Sequence, residues 1–337
     1  MRVNEIPALP GLPARALAPA KINLGLFLGP TRAQDGRHEL VTVMQSISLA
    51  DELTLERAPA GVEQDEVSCP GVSGAPTENL AALALEAFRA ATGWEAPPLR
   101  LSIVKRSPGA AGLGGGSADA AAALRLARHA SGLGDDQLLR ELGVALGADV
   151  PAQIVPGRWL AGGAGELLEA LPDPNPASFG LLVLPAAAGL LTAEVYAEAD
   201  RLGLVRSFEV LQERCRALRR ALELSAAVPA ASELLDNDLQ RAAISLYPDV
   251  AAALSQAREA GAEIALVSGS GPTVVGLFPH ANGLGRAERA ATGLEGRVPP
   301  PICATPVDAL FARVRSAGIA CARSRPETCA RPQGQSQ

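Results

Sequence analysis

Residues 108–126 read Pro-Gly-Ala-Ala-Gly-Leu-Gly-Gly-Gly-Ser-Ala-Asp-Ala-Ala-Ala-Ala-Leu-Arg-Leu, and this stretch decides the fold. Its clustered glycines remove the Cβ atoms from a short arc of backbone, so the arc can adopt positive φ and approach a ligand closely. Ser117 is predicted to be the N-cap of the helix that follows, with Asp119 in the first turn. Because Leu99–Val104 alternates as a strand does, the context is strand, glycine loop and helix. The free N–H groups at such a helix start favour phosphate.

A purely structural interpretation of this glycine loop is also open, because glycines often do no more than turn the chain tightly before a helix. A glycine cluster without further support is a weak signal, and no Lys-Ser or Lys-Thr pair follows to make a Walker A loop. Three consecutive glycines are, however, costly to order. That cost favours a role in ligand binding.

The bulk composition limits the class of protein. A chain of 337 residues with 48% hydrophobic content can bury the cores of two domains. A net charge of −6 and only ten aromatic side chains (two Trp, two Tyr and six Phe) argue against a nucleic-acid partner. Five cysteines without a Cys-x-x-Cys pair indicate free thiols in the cytoplasm and no zinc site. Met1–Pro19 is interrupted by prolines, so we expect neither a signal peptide nor a membrane partner.

Two polar residues stand out on the first predicted strand, Ala14–Leu28. Its apolar residues alternate with Lys21 and Asn23, which therefore share one face. A lysine on such a strand usually lies at an edge with its ammonium in water. Asn23 on the same face favours instead two donors directed at one ligand.

Asp149 is the best candidate for a catalytic carboxylate. A predicted helix over Asp135–Gly147 ends in Leu-Gly-Ala-Asp-Val-Pro, and Pro151 disfavours helical geometry at Val150. Asp149 is then expected at the helix exit, where the dipole disfavours a negative charge. Aspartate is common in turns, but a broken local rule often marks a functional site.

The rest of the chain predicts an α+β protein of two domains. Glu78–Thr92 predicts a helix with Thr77 as N-cap, and Gln153–Leu160 and Glu166–Leu171 predict strands. Pro172–Pro176 is the predicted domain boundary. The expected division is an N-terminal extension (1–14), an N-terminal domain (15–172), a C-terminal domain (173–315) and a tail without fixed structure (316–337).

Five stretches, taken in order, carry a resemblance to the GHMP kinases, a family of small-molecule kinases. They are Ala18-Pro-Ala-Lys-Ile-Asn-Leu, Asp35-Gly-Arg-His-Glu-Leu, the glycine loop, Leu146-Gly-Ala-Asp-Val-Pro and Ser268-Gly-Ser-Gly. The likeness runs from about Arg15 to about Val314. The first and fourth stretches resemble most specifically the branch of the family that uses a cytidyl diphosphate of methylerythritol in the non-mevalonate isoprenoid pathway.

This resemblance implies a two-layer α/β arrangement in each of two domains, with the active site in the cleft between them. It implies Lys21 and Asp149 as catalytic residues, with ATP as co-substrate and Mg²⁺. It assigns no definite metal ligand, and Ser117 is the nearest candidate. The substrate-binding residues it implies are Asn23, Arg37, His38, Thr192 and Tyr196. The phosphate loop it implies comprises Pro108, Gly109, Ala110, Ala111, Gly112, Leu113, Gly114, Gly115, Gly116, Ser117 and Ala118.

Three positions depart from the family pattern. Arg37 stands where a tyrosine usually stacks on the base, and Ala152-Gln153 replaces a commonly aromatic pair. Ala118 replaces a second serine in the loop. Two alternatives stay open: another GHMP activity, such as homoserine or mevalonate kinase, and a catalytically silent protein that binds a nucleotide or sugar. Lys21 and Asp149 argue against the silent protein, since simple binding needs neither.

Overall fold

The computed structural model describes residues 11–72, 78–224 and 234–316. The predicted N-cap Thr77, residues 1–10 of the predicted extension and residues 317–337 of the predicted tail lie outside this part of the chain. The described strands are β1 (Ala14–Thr31), β2 (His38–Arg57), β3 (Glu66–Ser68), β4 (Leu99–Val104), β5 (Arg158–Gly162), β6 (Leu167–Leu171), β7 (Phe179–Leu184), β8 (Ile264–Val267), β9 (Val274–Pro279), β10 (Ile302–Ala304) and β11 (Arg315–Ser316).

Helices cover the sheets and close the core. The described helices are α1 (Leu80–Thr92), α2 (Gly115–Ser131), α3 (Asp136–Leu146), α4 (Val150–Ile154), α5 (Thr192–Arg201), α6 (Phe208–Leu224), α7 (Gln240–Leu246), α8 (Asp249–Glu259) and α9 (Gly283–Thr292). None of the helices in the described ranges is both long and apolar enough to cross a membrane.

Two sheets organise these elements. The first has seven strands, with the path β11-β1-β2-β4-β3 and with β5 and β6 continuing from β2. The second has four strands in the order β10-β7-β9-β8. Every pair is antiparallel except β3 with β4, and the helices pack against the sheets rather than alternating with parallel strands. The predicted α+β class is confirmed.

Helix α2 is the centre of the first half. Seven of its alanines are buried, and small side chains of this kind let a helix lie close to a sheet and to neighbouring helices. The prediction for its start is wrong in detail. The N-cap is Gly114 at φ +64°, so Ser117 lies inside the helix and Asp119 one turn further than expected. A glycine reaches this left-handed backbone without the strain that serine would incur.

Other sequence predictions need correction around α4. Val150–Ile154 is a short helix, not the start of a strand over Gln153–Leu160, because Pro151 occupies its first turn, where proline is tolerated. The strand β5 begins only at Arg158. In α1 the N-cap is Asn79, whose side chain accepts a hydrogen bond from the Ala81 N–H.

The two halves of the molecule are joined through β1 and β2. The Leu26 N–H donates to Asp236 O at 2.8 Å, and the Leu26 carbonyl accepts from the Asp238 N–H at 2.9 Å. Further along, the Ser48 N–H donates to Thr305 O at 2.9 Å. The predicted domain boundary falls in the loop between β6 and β7. Ala14 on β1 pairs with Ser316 on β11, so both belong to the first sheet rather than to the predicted extension and tail.

Candidate active site

A cavity of about 950 Å³ opens between the two sheets. This volume lies near the upper end of the range for small-molecule sites. All five predicted substrate residues and both predicted catalytic residues line it. Nine of the eleven predicted phosphate-loop residues line it as well, whereas Leu113 and Ala118 are buried beneath the loop.

Lys21 is held on β1 by a chain of side-chain hydrogen bonds. Its ammonium donates to Asn23 Oδ1 at 2.8 Å, and Asn23 Nδ2 donates to Thr42 Oγ1 at 2.8 Å. The Thr42 hydroxyl in turn donates to the Gly25 carbonyl at 2.6 Å. The Lys21 side chain is only 7% exposed, so the interpretation of an edge lysine with its charge in water is wrong. Asn23 therefore acts here as an acceptor for Lys21.

Asp149 forms an ion pair with Lys21 in the wall of the cavity. The Lys21 Nζ lies 3.2 Å from Asp149 Oδ2, and the Asp149 side chain is 33% exposed. Asp149 is the N-cap of α4, although its side chain makes no capping hydrogen bond. It thus lies at the favourable end of a second helix and not only at the exit of α3. Its carboxylate keeps an open face toward the cavity.

The glycine loop packs directly against this ion pair. The Lys21 N–H donates to Leu113 O at 2.9 Å, which fixes the loop to β1. A Cβ on Gly114 would lie 3.0 Å from Lys21 Cε and 3.4 Å from Asp149 Oδ2. On the other side, Ser268 Oγ donates to Gly112 O at 3.1 Å. The loop therefore has no room for side chains where it meets the ion pair and the second sheet.

Beneath the loop lies a buried ionic cluster that the sequence did not predict. Lys105 Nζ donates to both Asp51 and Asp119, and Asp51 also accepts from the Ser107 N–H at 2.8 Å and the Ser107 hydroxyl at 2.6 Å. Burial raises the pKa of Asp119 to about 7, with Lys105 opposing the shift. Hydrogen bonds from Lys105 and Ser107 outweigh burial at Asp51 and hold its pKa below the ordinary value. This cluster fixes the chain just before the loop.

At the other end of the cavity, His38 and Tyr196 lie side by side, with ring centroids 5.6 Å apart. His38 is buried rather than presented outward, and its Nδ1 lies 3.0 Å from Gly29 O. Burial raises the pKa of Tyr196 to about 12, and the charge of Asp149 adds to the effect. Tyr196 therefore keeps its hydroxyl proton. The Thr192 hydroxyl lies 3.1 Å from Ser270 Oγ, on the turn of the second sheet.

Arg37 lines the same end of the cavity but is exposed. Its Nη2 donates to Ala164 O at 2.7 Å, so the guanidinium is attached to the cavity rim. The other two departures lie away from the cavity. Ala152 and Gln153 are buried in α4, and Ala118 is buried in α2.

Asp200 is a cavity residue that the sequence reasoning missed. It follows Thr192 and Tyr196 at intervals of four residues on α5, so the three side chains share one helical face. That spacing was the available signal. Asp51, Lys105 and Thr42 carried no comparable signal, because their partners lie far away in the sequence.

Metal ligands are sparse in this site. Within the described residues, no group of three or more His, Cys, Asp or Glu side chains is placed to hold a metal ion. The half-buried Ser117 hydroxyl lines the cavity beside the glycine loop.

Comparison with known proteins agrees with this geometry. The family model "GHMP kinases N terminal domain" matches residues 79–157, and "GHMP kinases C terminal" matches residues 210–296. A crystal structure of homoserine kinase from Cytophaga hutchinsonii covers 92% of this chain and 99% of its own at a TM-score of 0.66. Its sequence identity is 14%, so this likeness shows the fold alone.

More similar relatives share the sequence as well. The 4-diphosphocytidyl-2-C-methyl-D-erythritol kinase of Corynebacterium efficiens is 39% identical over 277 residues, covering 79% of this chain and 85% of that protein. The protein of the same name in Salinispora tropica is 41% identical over 285 residues, covering 84% of this chain and 88% of its own. A crystal structure of 4-(cytidine 5'-diphospho)-2C-methyl-D-erythritol kinase is 31% identical at a TM-score of 0.66, covering 87% of this chain and 98% of its own.

The fold, the cavity between two sheets and the matched domains define a GHMP kinase. Within that class, the chain belongs to the 4-diphosphocytidyl-2-C-methyl-D-erythritol kinase family.

Proposed function

We propose that this chain transfers the γ-phosphoryl group of ATP to the 2-hydroxyl of 4-diphosphocytidyl-2-C-methyl-D-erythritol, a step of the non-mevalonate isoprenoid pathway. One observation carries the proposal: the Lys21–Asp149 pair shares a cavity with a glycine loop on one side and the His38–Tyr196 pair on the other. The names of the similar relatives support the choice of substrate.

Asp149 is proposed as the general base. Its partly exposed carboxylate takes the proton of the substrate hydroxyl, whose oxygen then bonds to the γ-phosphorus while the bond to the bridging oxygen of ADP breaks. Lys21, immobilised by Asn23, places its ammonium beside this reaction and offsets the negative charge of the transferred group. Positioning and electrostatics supply most of the catalysis in this class of reaction.

The glycine loop is proposed to hold the triphosphate. Between Pro108, which has no N–H, and Ala118, whose N–H donates to Gly114 O, the loop contributes backbone N–H groups and the N-terminus of α2, which together suit an anion. Gly112 and Gly114 both have positive φ, which turns the backbone so that no side chain fills the cradle.

Mg²⁺ is proposed to accompany ATP. The Ser117 hydroxyl beside the glycine loop would contribute one oxygen ligand. Phosphate and water oxygens would supply the others, because the described residues hold no group of three or more His, Cys, Asp or Glu side chains placed for a metal ion. When bound, Mg²⁺ neutralises charge on the phosphates.

The opposite end is proposed to bind the cytidine. Tyr196 offers a ring face for stacking, Arg37 a planar guanidinium, and His38 hydrogen bonds to the base. Thr192, which lines the same cavity, is proposed to contact the methylerythritol diphosphate. We further propose that residues 15–172 and 173–315 are the two domains, that the protein acts in the cytoplasm, and that it needs no nucleic-acid or membrane partner.

The test is a turnover assay with ATP and Mg²⁺ against three acceptors. We expect ADP release with 4-diphosphocytidyl-2-C-methyl-D-erythritol and at least 100-fold lower kcat/KM with homoserine or mevalonate, because neither offers a base to the His38–Tyr196 end. The Asp149→Asn variant is the matched control for contaminating kinases. Equal or better turnover of homoserine or mevalonate would contradict the proposal, and binding without any turnover would indicate the silent protein.

A further inference from the structure

The side chain of Gln153, one of the departures from the family pattern, is a buried amide with a hydrogen-bond partner at each end. Its Nε2 donates to the Pro19 carbonyl at 3.2 Å, and its Oε1 accepts from the Ser46 hydroxyl at 3.3 Å. Gln153 is only 2% exposed, so water does not compete for these hydrogen bonds. The Ser46 hydroxyl is fixed in turn by the Gly157 N–H at 3.1 Å. A hydrocarbon side chain at position 153 could make neither hydrogen bond.

Both partners of Gln153 lie beside Lys21 in the first sheet. Pro19 precedes Lys21 by two residues on β1, and the pairing of β1 with β2 shifts its register between these two residues. The ladder of backbone hydrogen bonds is disrupted at such a shift, and the Gln153 amide supplies a donor to the carbonyl there. Ser46 is the residue of β2 that pairs with Lys21. Gln153 therefore holds β1 just before Lys21 and β2 directly opposite it.

The backbone of Gln153 belongs to the helix that begins at Asp149. Asp149 is the N-cap of α4, so Gln153 follows the proposed general base by four residues, about one helical turn. A helix of five residues gains little stability from its own hydrogen bonds. The placement of α4 on the sheet therefore depends on contacts such as those of Gln153. The same placement sets the distance of 3.2 Å between Lys21 Nζ and Asp149 Oδ2.

We propose that Gln153 is a positioning residue, whose amide fixes α4 to β1 and β2 and thereby sets the place of Asp149 relative to Lys21. This inference rests on the proposed function and adds a residue that acts on the reaction through two others. Gln153 is buried in α4, away from the cavity lining, so its loss affects the chemical step and not the binding of either substrate. A displacement of about 1 Å in a catalytic group can lower the rate by about 100-fold.

The first test is Gln153→Met in the intact chain, because methionine matches glutamine in length but has no N–H to donate. We expect kcat with ATP and 4-diphosphocytidyl-2-C-methyl-D-erythritol to fall by about 10- to 100-fold, while KM for each substrate changes by less than about 2-fold. Steady-state kinetics is measured at a temperature at which urea unfolding shows the variant to be folded. A wild-type kcat in the folded variant would overturn the inference.

A matched pair of serines on β2 gives a milder test that also serves if Gln153→Met does not fold. The hydroxyls of Ser46 and Ser48 each accept a backbone N–H, from Gly157 and Thr305, but only that of Ser46 also donates to Gln153. We expect Ser46→Ala to lower kcat by about 3- to 10-fold and Ser48→Ala by less than about 2-fold. Equal losses of kcat in the two variants would overturn the inference.

The decisive measurement repeats Gln153→Met and Ser46→Ala in the Asp149→Asn background. A positioning residue loses its effect once the group that it positions is removed, so we expect kcat to fall there by less than about 2-fold. The same factor in both backgrounds would overturn the inference, because it would indicate a general loosening of the fold. If the unaltered chain turns over none of the three acceptors, the proposed function itself fails.

Discussion

The two ends of the cavity are built differently. At the glycine-loop end, the Asp51, Lys105 and Asp119 side chains are at most 16% exposed, and they hold one another in place beneath the loop. At the His38–Tyr196 end, Arg37 and Asp200 are exposed and make one or two contacts each. Buried charges that hold one another fix the shape of a site before any ligand binds. Polar groups with few protein partners create selectivity, because only a ligand that supplies matching hydrogen-bond partners binds well.

The largest expected effect lies at the centre of the cavity. Asp149→Asn removes the base without changing its shape, and kcat is expected to fall by about 10²- to 10⁴-fold. Lys21→Met is expected to cause a comparable loss. The double variant is expected to fall little further, because the two residues act as one unit. Steady-state kinetics on all three variants measures this, and full activity in Asp149→Asn would remove the general base from the mechanism.

The next largest effect is expected from adding a Cβ atom to the glycine loop at Gly114. A Cβ on Gly114 meets Lys21 and Asp149, so Gly114→Ala is expected to lower kcat/KM for ATP by about 10- to 100-fold, and Gly114→Val by more. Gly132→Ala is the matched control, since Gly132 caps the other end of α2 at a similar φ of +71° with open space around it.

For Gly132→Ala we expect a loss of about 1–2 kcal/mol in the free energy of unfolding from backbone strain, with KM for ATP unchanged. Denaturant unfolding and steady-state kinetics on both variants separate strain from contact with the site. Wild-type ATP affinity in Gly114→Val would show that the loop does not hold phosphates.

At the open end, the expected losses are smaller and confined to one substrate. Tyr196→Ala removes a stacking face, and KM for the cytidyl substrate is expected to rise by about 5- to 100-fold while KM for ATP is unchanged. Arg37→Ala is expected to do the same, and Arg37→Tyr to be nearly neutral, if the guanidinium leaves Ala164 O to stack on the base. Unchanged KM values in Arg37→Ala would limit Arg37 to the rim.

The smallest expected effect is the contribution of Asp119 to the pH dependence of the free energy of unfolding. The pKa of Asp119 is about 7 in the folded protein, above its ordinary value of 3.8, so the folded state holds a proton that the unfolded state has lost between these pH values. The free energy of unfolding therefore falls as pH rises from about 4 to 7, by up to about 1.4 kcal/mol per pH unit from this group. Asp119→Asn cannot titrate and should lack this contribution.

Urea unfolding of both proteins at pH 5, 6 and 7 measures the difference, which we expect to move in favour of Asp119→Asn as pH rises. Glu86→Gln, which alters an exposed acid on α1, controls for the loss of one negative charge. Parallel stability curves for wild type and Asp119→Asn would show that Asp119 is not a buried titrating group.

Local sequence patterns predicted much of this architecture. Alternation placed Lys21 and Asn23 on one face, and the glycine loop and α2 followed from residues adjacent in the chain. The N-cap at Ser117 was wrong because a glycine in left-handed geometry ended the loop three residues earlier. The Asp51–Lys105–Asp119 cluster escaped prediction because its two bonded pairs are 54 and 14 residues apart, and single-sequence patterns do not report such pairings.

Backbone hydrogen bonds join the two halves of the molecule through β1 and β2, so the two walls of the cavity are connected along these strands. Leu26 exchanges backbone hydrogen bonds with Asp236 and Asp238, and the Ser48 N–H donates to Thr305 O. The second half is thus hydrogen-bonded to the two strands that carry Lys21 and His38. Swinging the halves apart would break these bonds. The separation between Lys21 and the His38–Tyr196 pair is therefore set by backbone hydrogen bonds of the folded chain.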